Sequence, residues 1–316
     1  MLAESLRYLH RIGTDENGLG ARLGPLVVTA VLARVDPAGD ALLNGALPDS
    51  LRAELDDSKA LVSHADYTLA EGWARALGGL DAKSPAELLQ RLTLESSVEL
   101  RAPCPEHVEH QCWGVGGERF NAPDELVERL STHRAELLRR GVEIICVRSS
   151  IICSRRLNEA RQRKIHRFLA DLHAMERLVI ALQKLAGSEV LAICGKVGGM
   201  NEYSKFFGPL AGWLHAIIEQ GRESSAYRFP RIGEIHFLRD ADARDPLVML
   251  ASLVGKWVRE LLMARVSDWY SVDRSERPSG YHDPETARFV DATALVRRER
   301  RVPDICFERA RDLADA

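Results

Sequence analysis

The chain has 316 residues, of which 46% are hydrophobic and 28% charged, an ordinary globular composition with room for one large domain or two small ones. No stretch approaches the roughly 18 apolar residues of a membrane span. The N-terminus, M-L-A-E-S-L-R-Y, lacks the charged head and apolar core of a secretory signal, and six irregularly spaced cysteines make no disulfide framework, so a reducing, cytoplasmic location is expected. A net charge of −3 means that a polyanionic partner would have to be held by a local basic patch.

Residues 12–25 read I-G-T-D-E-N-G-L-G-A-R-L-G-P. An apolar-rich stretch, 6–12, stops just before the adjacent carboxylates Asp15 and Glu16. Gly18, Gly20 and Gly24 follow, and 26–35 is a β-branched, apolar run. The pattern predicts strand, glycine turn, strand: a hairpin. Neighbouring side chains of a strand point to opposite faces. Asp15 and Glu16 can therefore serve one site only if the backbone turns between them, and the glycines predict such a turn. Taken alone, acids before a tight turn are solvated punctuation.

Residues 37–54 read as a polar, turn-rich connection. L-D-D-S-K-A-L at 55–61 is a helix start with Asp57 or Ser58 as N-cap. A helix over 63–80 would bury Tyr67, Leu69, Trp73 and Leu77, and another begins at Ser84-Pro85 and runs to Leu92. The pattern breaks over 94–121, which holds Cys104, His107, His110 and Cys112. These ligand types raise a structural metal, but the spacing is not that of a zinc finger, and an irregular surface insertion is the favoured reading. Residues 123–141 form an amphipathic helix ending in Arg139-Arg140-Gly141.

Residues 142–153 are the next strand. A long helix is predicted over 157–185, with Ile165, Phe168, Leu169, Leu172, Met175, Leu178, Val179 and Leu182 on one stripe and Gly187 closing it. Residues 155–167 carry Arg155, Arg156, Arg161, Arg163, Lys164 and Arg167 against Glu159 alone, a local basic patch or a solvated helix face. Residues 189–194 are a short buried strand. G-K-V-G-G-M-N-E-Y follows at 195–203, then a predicted helix through Glu219, a strand over 232–242 and a long helix over 246–270. Ala251, Ser252 and Gly255 would let that helix lie close to the sheet. Residues 279–288, S-G-Y-H-D-P-E-T-A-R, are a turn and a last helix, and the charged C-terminus from Arg297 reads as peripheral.

In order along the chain, these stretches resemble the motifs of the ribonuclease HII/HIII family. Asp15, Glu16, Gly18, Gly20, Gly24 and Pro25 resemble its D-E-x-G-x-G and following G-P. Asp57, Ser58, Lys59 and Leu61 resemble its D-S-K-x-L. Asp242, Ala243, Arg244, Pro246, Val248, Ala251 and Ser252 hold the register of its D-A-K-x-P-x-V-A-A-A-S, with Lys256 on the lysine that follows. Residues 279–284 are similar to its S-G-Y-x-x-D-P, one residue shorter, and 195–203 to its D-K-V-G stretch.

The resemblance implies an α/β, RNase H-like fold: a central mixed β-sheet with three antiparallel strands, flanked by helices. Residues 1–316 would be one such domain, with an insertion at about 81–141. It implies a metal-dependent endonuclease that hydrolyses RNA in RNA/DNA hybrids or cuts at ribonucleotides embedded in duplex DNA. Mg²⁺, with Mn²⁺ as the alternative, would be held by Asp15, Glu16 and Asp242, the catalytic residues. Two divalent ions about 3.5–4 Å apart would activate a water and stabilise the leaving oxygen. Gly18, Leu19, Gly20, Ser58, Lys59 and Tyr281 would contact substrate. Leu19 stands where ribonuclease HII usually has arginine, so a phosphate contact is absent. Tyr281 matches the tyrosine that stacks on the sugar beside the cut.

The family's fourth acid ends the strand 189–194, and no acid stands there. Aligning on K-V-G puts Gly195 at the place, and aligning on the strand end puts Cys194 there. Glycine offers no ligand, and cysteine is too soft for Mg²⁺. Two-metal chemistry is lost, another acid fills in, or the glycine is an inactivating substitution. Asp240 is the nearest candidate, because in an extended strand it shares a face with Asp242. Slow cutting is expected. The alternative reading is a catalytically impaired relative that binds nucleic acid or a protein partner. A metabolic α/β enzyme would need a nucleotide-binding glycine fingerprint, and 195–199 has neither spacing.

Overall fold

The computed structural model describes residues 7–271 and 277–310. Residues 1–6, most of the N-terminal stretch expected to lack a secretory signal, lie outside the described residues, as does the end of the charged C-terminal segment. Seven strands form one mixed sheet: β1 (His10–Asn17), β2 (Leu26–Val35), β3 (Val142–Ile152), β4 (Val190–Gly195), β5 (Ala216–Gln220), β6 (Ser224–Phe229) and β7 (Gly233–Leu238). Their order is β3-β2-β1-β4-β7-β6-β5. β1, β2 and β3 are antiparallel neighbours, and β4 runs parallel to β1 and to β7. The mixed sheet with an antiparallel β1–β2–β3 side, expected from the sequence, is present.

The helices between β2 and β3 are α1 (Pro37–Asn44), α2 (Asp49–Arg52), α3 (Ser58–Leu61), α4 (Thr68–Gly78), α5 (Pro85–Leu92), α6 (Ser97–Arg101), α7 (His110–Trp113) and α8 (Asp124–Arg139). Next come α9 (Ser154–Gln162) and α10 (Arg167–Ala186), and after β7 α11 (Pro246–Trp269), α12 (Pro284–Ala292), α13 (Ala294–Glu299) and α14 (Asp304–Phe307). One face of the sheet packs on α11, with α4 and α8 outside it. The other face packs on α10. Residues 81–141, expected as a decoration, contribute Leu88, Leu92, Trp113, Leu130 and Leu137 to the core on the α11 side.

Helix α11 is the central column, buried nearly all round. Asp245 caps it, accepting from the amides of Leu247 and Val248, and Arg11 of β1 pairs with the cap at 3.1 Å. Small residues set its approach to the sheet. A Cβ on Gly13 would come within 2.4 Å of the α11 backbone, and one on Gly255 would stand 2.6 Å from the Asn17 side chain.

Several expectations are corrected. Residues 37–54 hold two short helices, because Asp36 caps Pro37–Asn44 with proline at its first turn. The helix predicted over 157–185 is two helices, broken where Lys164 takes a left-handed conformation (φ 64). The helix expected from Tyr203 through Glu219 is absent. Gly208-Pro209 and Gly212 (φ 78) give turns, and the β-branched run after them is the edge strand β5. Strand β6 was not foreseen. Strand 232–242 ends at Leu238, where Asp240 turns left-handed (φ 52) before a single 3₁₀ turn at Ala241–Ala243.

Candidate functional site

Strand β1 stays regular through both of its carboxylates. Asp15 pairs with Thr29 and Glu16 with Val28, and the first left-handed residue is Gly18 (φ 85). The turn expected between Asp15 and Glu16 is therefore absent. The pleat sends them to opposite faces. Gly13 and Asp15 face α11, where the Ser252 hydroxyl reaches Asp15. Ile12, Thr14 and Glu16 alternate with them toward the α10 side. The two acids still meet, because β1 outruns β4. The pairing of β1 with β4 stops at Thr14–Cys194, and Gly195 beyond it has no side chain. A Cβ on Gly195 would stand 3.4 Å from Asp15 Oδ1 and 3.4 Å from Glu16 Oε2, so the two carboxylates flank a gap.

One cleft of about 490 Å³ is lined by the candidate residues Asp15, Glu16, Gly18, Leu19, Gly20, Ser58, Lys59, Asp242 and Tyr281, with Asn17, Val62, Ser63, Ser252 and Lys256 beside them. The candidate residues arrive from the end of β1, the glycine turn, α3, the 3₁₀ turn and the segment before α12. Asp57 caps α3 by accepting from the Lys59 amide, which aims Lys59 at the 3₁₀ turn, where its Nζ donates to Asp242 Oδ2 at 2.8 Å. Ser58 Oγ and Ser252 Oγ lie 2.8 Å apart and tie α3 to α11. The Tyr281 ring lies against the Arg259 guanidinium, 4.6 Å from its centroid.

The glycine turn is held from behind. Gly280 O accepts from the amides of Arg22 and Leu23. Arg309, buried near the C-terminus, donates to Gly24 O at 2.9 Å and to Gly18 O at 2.5 Å. The C-terminal segment, through residue 310, is thus not peripheral. At Gly20 a side chain would meet nothing within 4 Å, so this backbone is open to the cleft.

Burial dominates the electrostatics. It pushes the Asp15 carboxyl up to about 7, helped by repulsion from Asp242 and opposed by Ser252 and Lys59. It raises Glu16 well above the usual range, and repulsion from Asp171 and then Asp15 raises it further. Asp171 was missed in the sequence. It is fully buried in α10, with no hydrogen-bond partner on either oxygen. The signal was available: Asp171, Met175, Leu178 and Leu182 follow the i, i+4, i+7, i+11 spacing of one stripe, and an acid stands at its head. Asp240 is not brought to the site. Its side chain is 62% exposed and pairs with Arg239. Cys194 packs in the core below α10, where burial pushes its thiol up to about 12.

An all-oxygen donor set suits Mg²⁺ or Mn²⁺, and buried carboxylates pushed up by burial and mutual repulsion are what a cation would relieve. Among the described residues, no three His, Cys, Asp or Glu side chains are drawn close enough to hold an ion as they stand. The Cys104–Cys112 array is likewise not gathered: His107 Nε2 donates to the Arg301 carbonyl oxygen at 3.1 Å, while Cys104 and Cys112 pack against the core.

No family model and no curated protein matches the chain. Solved structures of ribonucleases HII, HIII and H2 are similar over nearly its whole length. A chain of the PCNA–RNase HII complex from Archaeoglobus fulgidus is 17% identical, covering 98% of this chain and 100% of that one, with a TM-score of 0.43. Bst-RNase HIII in complex with Mn²⁺ is 13% identical, covering 97% and 68%, with a TM-score of 0.45. Ribonuclease H2 from Pyrococcus horikoshii is 13% identical, covering 94% and 92%, with a TM-score of 0.41. The likeness is distant, and the chemistry of the cleft stands on its own geometry. No helix among the described residues is long and apolar enough to cross a membrane.

Proposed function

We propose that the chain is a divalent-metal-dependent endonuclease resembling ribonuclease HII, acting on RNA in RNA/DNA hybrids or at ribonucleotides embedded in duplex DNA. The observation that carries this reading is the single cleft in which Asp15, Glu16 and Asp242 meet the glycine turn, the start of α3 and Tyr281. Asp15, Glu16 and Asp242 would hold Mg²⁺ or Mn²⁺. Such ions, when bound, activate water and stabilise a leaving oxygen. The other residues bind and orient. The open backbone at Gly20 admits a ribose and its 2′-OH, the group that separates RNA from DNA. Tyr281 offers a partly exposed ring to a sugar or base. Lys59 and Lys256 set positive charge beside the phosphate path.

A second reading, a protein that binds such duplexes without cutting them, is favoured by one observation: Asp242 is engaged by Lys59 while Gly195 offers no carboxylate. The test uses a hybrid, a DNA duplex with one ribonucleotide, and an all-DNA duplex, each with Mg²⁺, with Mn²⁺ and with EDTA. Ion-dependent cleavage of the two ribonucleotide-containing duplexes alone supports the enzyme. Binding without cleavage supports the second reading. Neither binding nor cleavage rejects both.

A further inference from the structure

Asp171 has no part in the reading above, yet its surroundings demand one. Its side chain is fully buried and neither carboxylate oxygen has a hydrogen-bond partner. A buried carboxylate without a donor or counter-charge is costly, and a fold keeps one only where something neutralises it. The neighbouring residues show where that neutraliser belongs. Glu16 alternates with Ile12 and Thr14 toward the face that α10 covers, so Glu16 and Asp171 lie on the same side of the sheet. After burial, repulsion from Asp171 is the strongest influence on Glu16, ahead of that from its chain neighbour Asp15. Repulsion from Asp15 reaches Asp171 in turn. Asp15 Oδ1 and Glu16 Oε2 flank the gap that Gly195 leaves at the end of β4, and Asp171 stands on the α10 side of the sheet, the side of Glu16.

We propose that Asp171 is a cation ligand of this centre, sharing an ion with Glu16 across the gap at Gly195. The carboxylate that the end of β4 lacks is then supplied by the helix lying over it. Leu172, Met175 and Leu178, all buried, fix α10 and so fix the height of Asp171 above the strand. A dication between the two carboxylates turns their repulsion into attraction and gives the orphaned oxygens a partner. The inference rests on the metal-dependent reading of the site.

The competing neutraliser is a proton, and asparagine separates the two, since it matches a protonated aspartate in shape but is a poor ligand. The test titrates Mn²⁺ into the full chain and follows free ion by electron paramagnetic resonance, with thermal melts in EDTA beside it. Asp171→Asn is expected to melt no lower than the parent, because it removes a buried charge, yet to weaken Mn²⁺ binding by about tenfold or more, the range for loss of a metal-site contact. Gly195→Asp placed in the Asp171→Asn chain is expected to restore binding. Asp240→Asn should change nothing. Should Asp171→Asn misfold, Asp171→Ser takes its place in the same titration. Parental Mn²⁺ affinity in the Asp171 variant overturns the role of Asp171 while leaving the metal-dependent reading intact. A parent chain that binds no Mn²⁺ overturns both.

Discussion

At Gly195 the absence of a side chain decides how much the neighbouring acids must do. Its φ is not left-handed, and the nearest oxygens stand 3.4 Å from where a Cβ would be, so the Cβ of a substituted residue is admitted without moving the backbone. If no other acid served, restoring a ligand would raise Mg²⁺-dependent cleavage by at least about a hundredfold, some 2.7 kcal/mol of barrier. With Asp171 serving, the expected gain is no more than about tenfold, or about 1.4 kcal/mol. Gly195→Asn, similar in size but uncharged, should gain less still. Single-turnover cleavage of a hybrid at saturating Mg²⁺ makes the comparison. A hundredfold gain would show that Asp171 is idle. Without divalent ions Gly195→Asp should also melt below Gly195→Asn, because it adds another charge to carboxyls that burial already keeps high.

The element that shapes the cleft is the glycine turn between β1 and β2, and it is held by the far end of the chain. Arg309 satisfies carbonyls at Gly18 and Gly24. Arg309→Ala leaves buried acceptors unpaired, at about 1–3 kcal/mol. It should lower urea stability by that amount, speed amide exchange over residues 18–24 and weaken hybrid binding. Arg309→Lys, which cannot span both carbonyls, should fall between. Unchanged exchange in the turn would remove Arg309 from the site's support. This clamp was not legible in the sequence, because an arginine near a charged terminus looks like any solvated one. Legibility followed periodicity. The strands β1, β2, β3 and β4 and the helix α11 were readable because their apolar runs are continuous and their caps local, as with Asp245 before Pro246. The break at Lys164 and the turns after Tyr203 were not, since tertiary packing decides them. The site divides the same way. Asp15, Glu16, Ser58, Lys59, Asp242 and Tyr281 sit in ordered motifs and line one cleft. Asp171 sits in no motif, and only its place on an apolar stripe marks it.

Over the whole molecule, buried acids set how stability depends on pH, and Glu176 is one that lies away from the cleft. It is buried in α10 and accepts from the amides of Gly208 and Leu210, fixing the turns that lead to β5. Burial pushes its carboxyl from 4.5 up to about 7, against those two donors. The folded state therefore keeps a proton that the unfolded chain releases. Stability is full below about pH 4.5, falls as pH rises toward 7 and then levels. At about 1.4 kcal/mol per pH unit, the loss owed to Glu176 is roughly 3 kcal/mol. Glu16 and Asp171 are raised by burial as well and add to the fall. Glu54 and Glu260 are lowered, so their contribution changes only in more acid solution. Urea unfolding in EDTA should thus give a lower free energy at pH 8 than at pH 5. Glu176→Gln should flatten the curve by its own share. Mn²⁺ should recover the share of the cleft acids and leave that of Glu176 untouched. Stability that rises across this window would mean that these carboxyls are not held protonated by burial, and an effect of Mn²⁺ equal in size to that of Glu176→Gln but absent when both are combined would place the ion at Glu176 instead of at the end of β4.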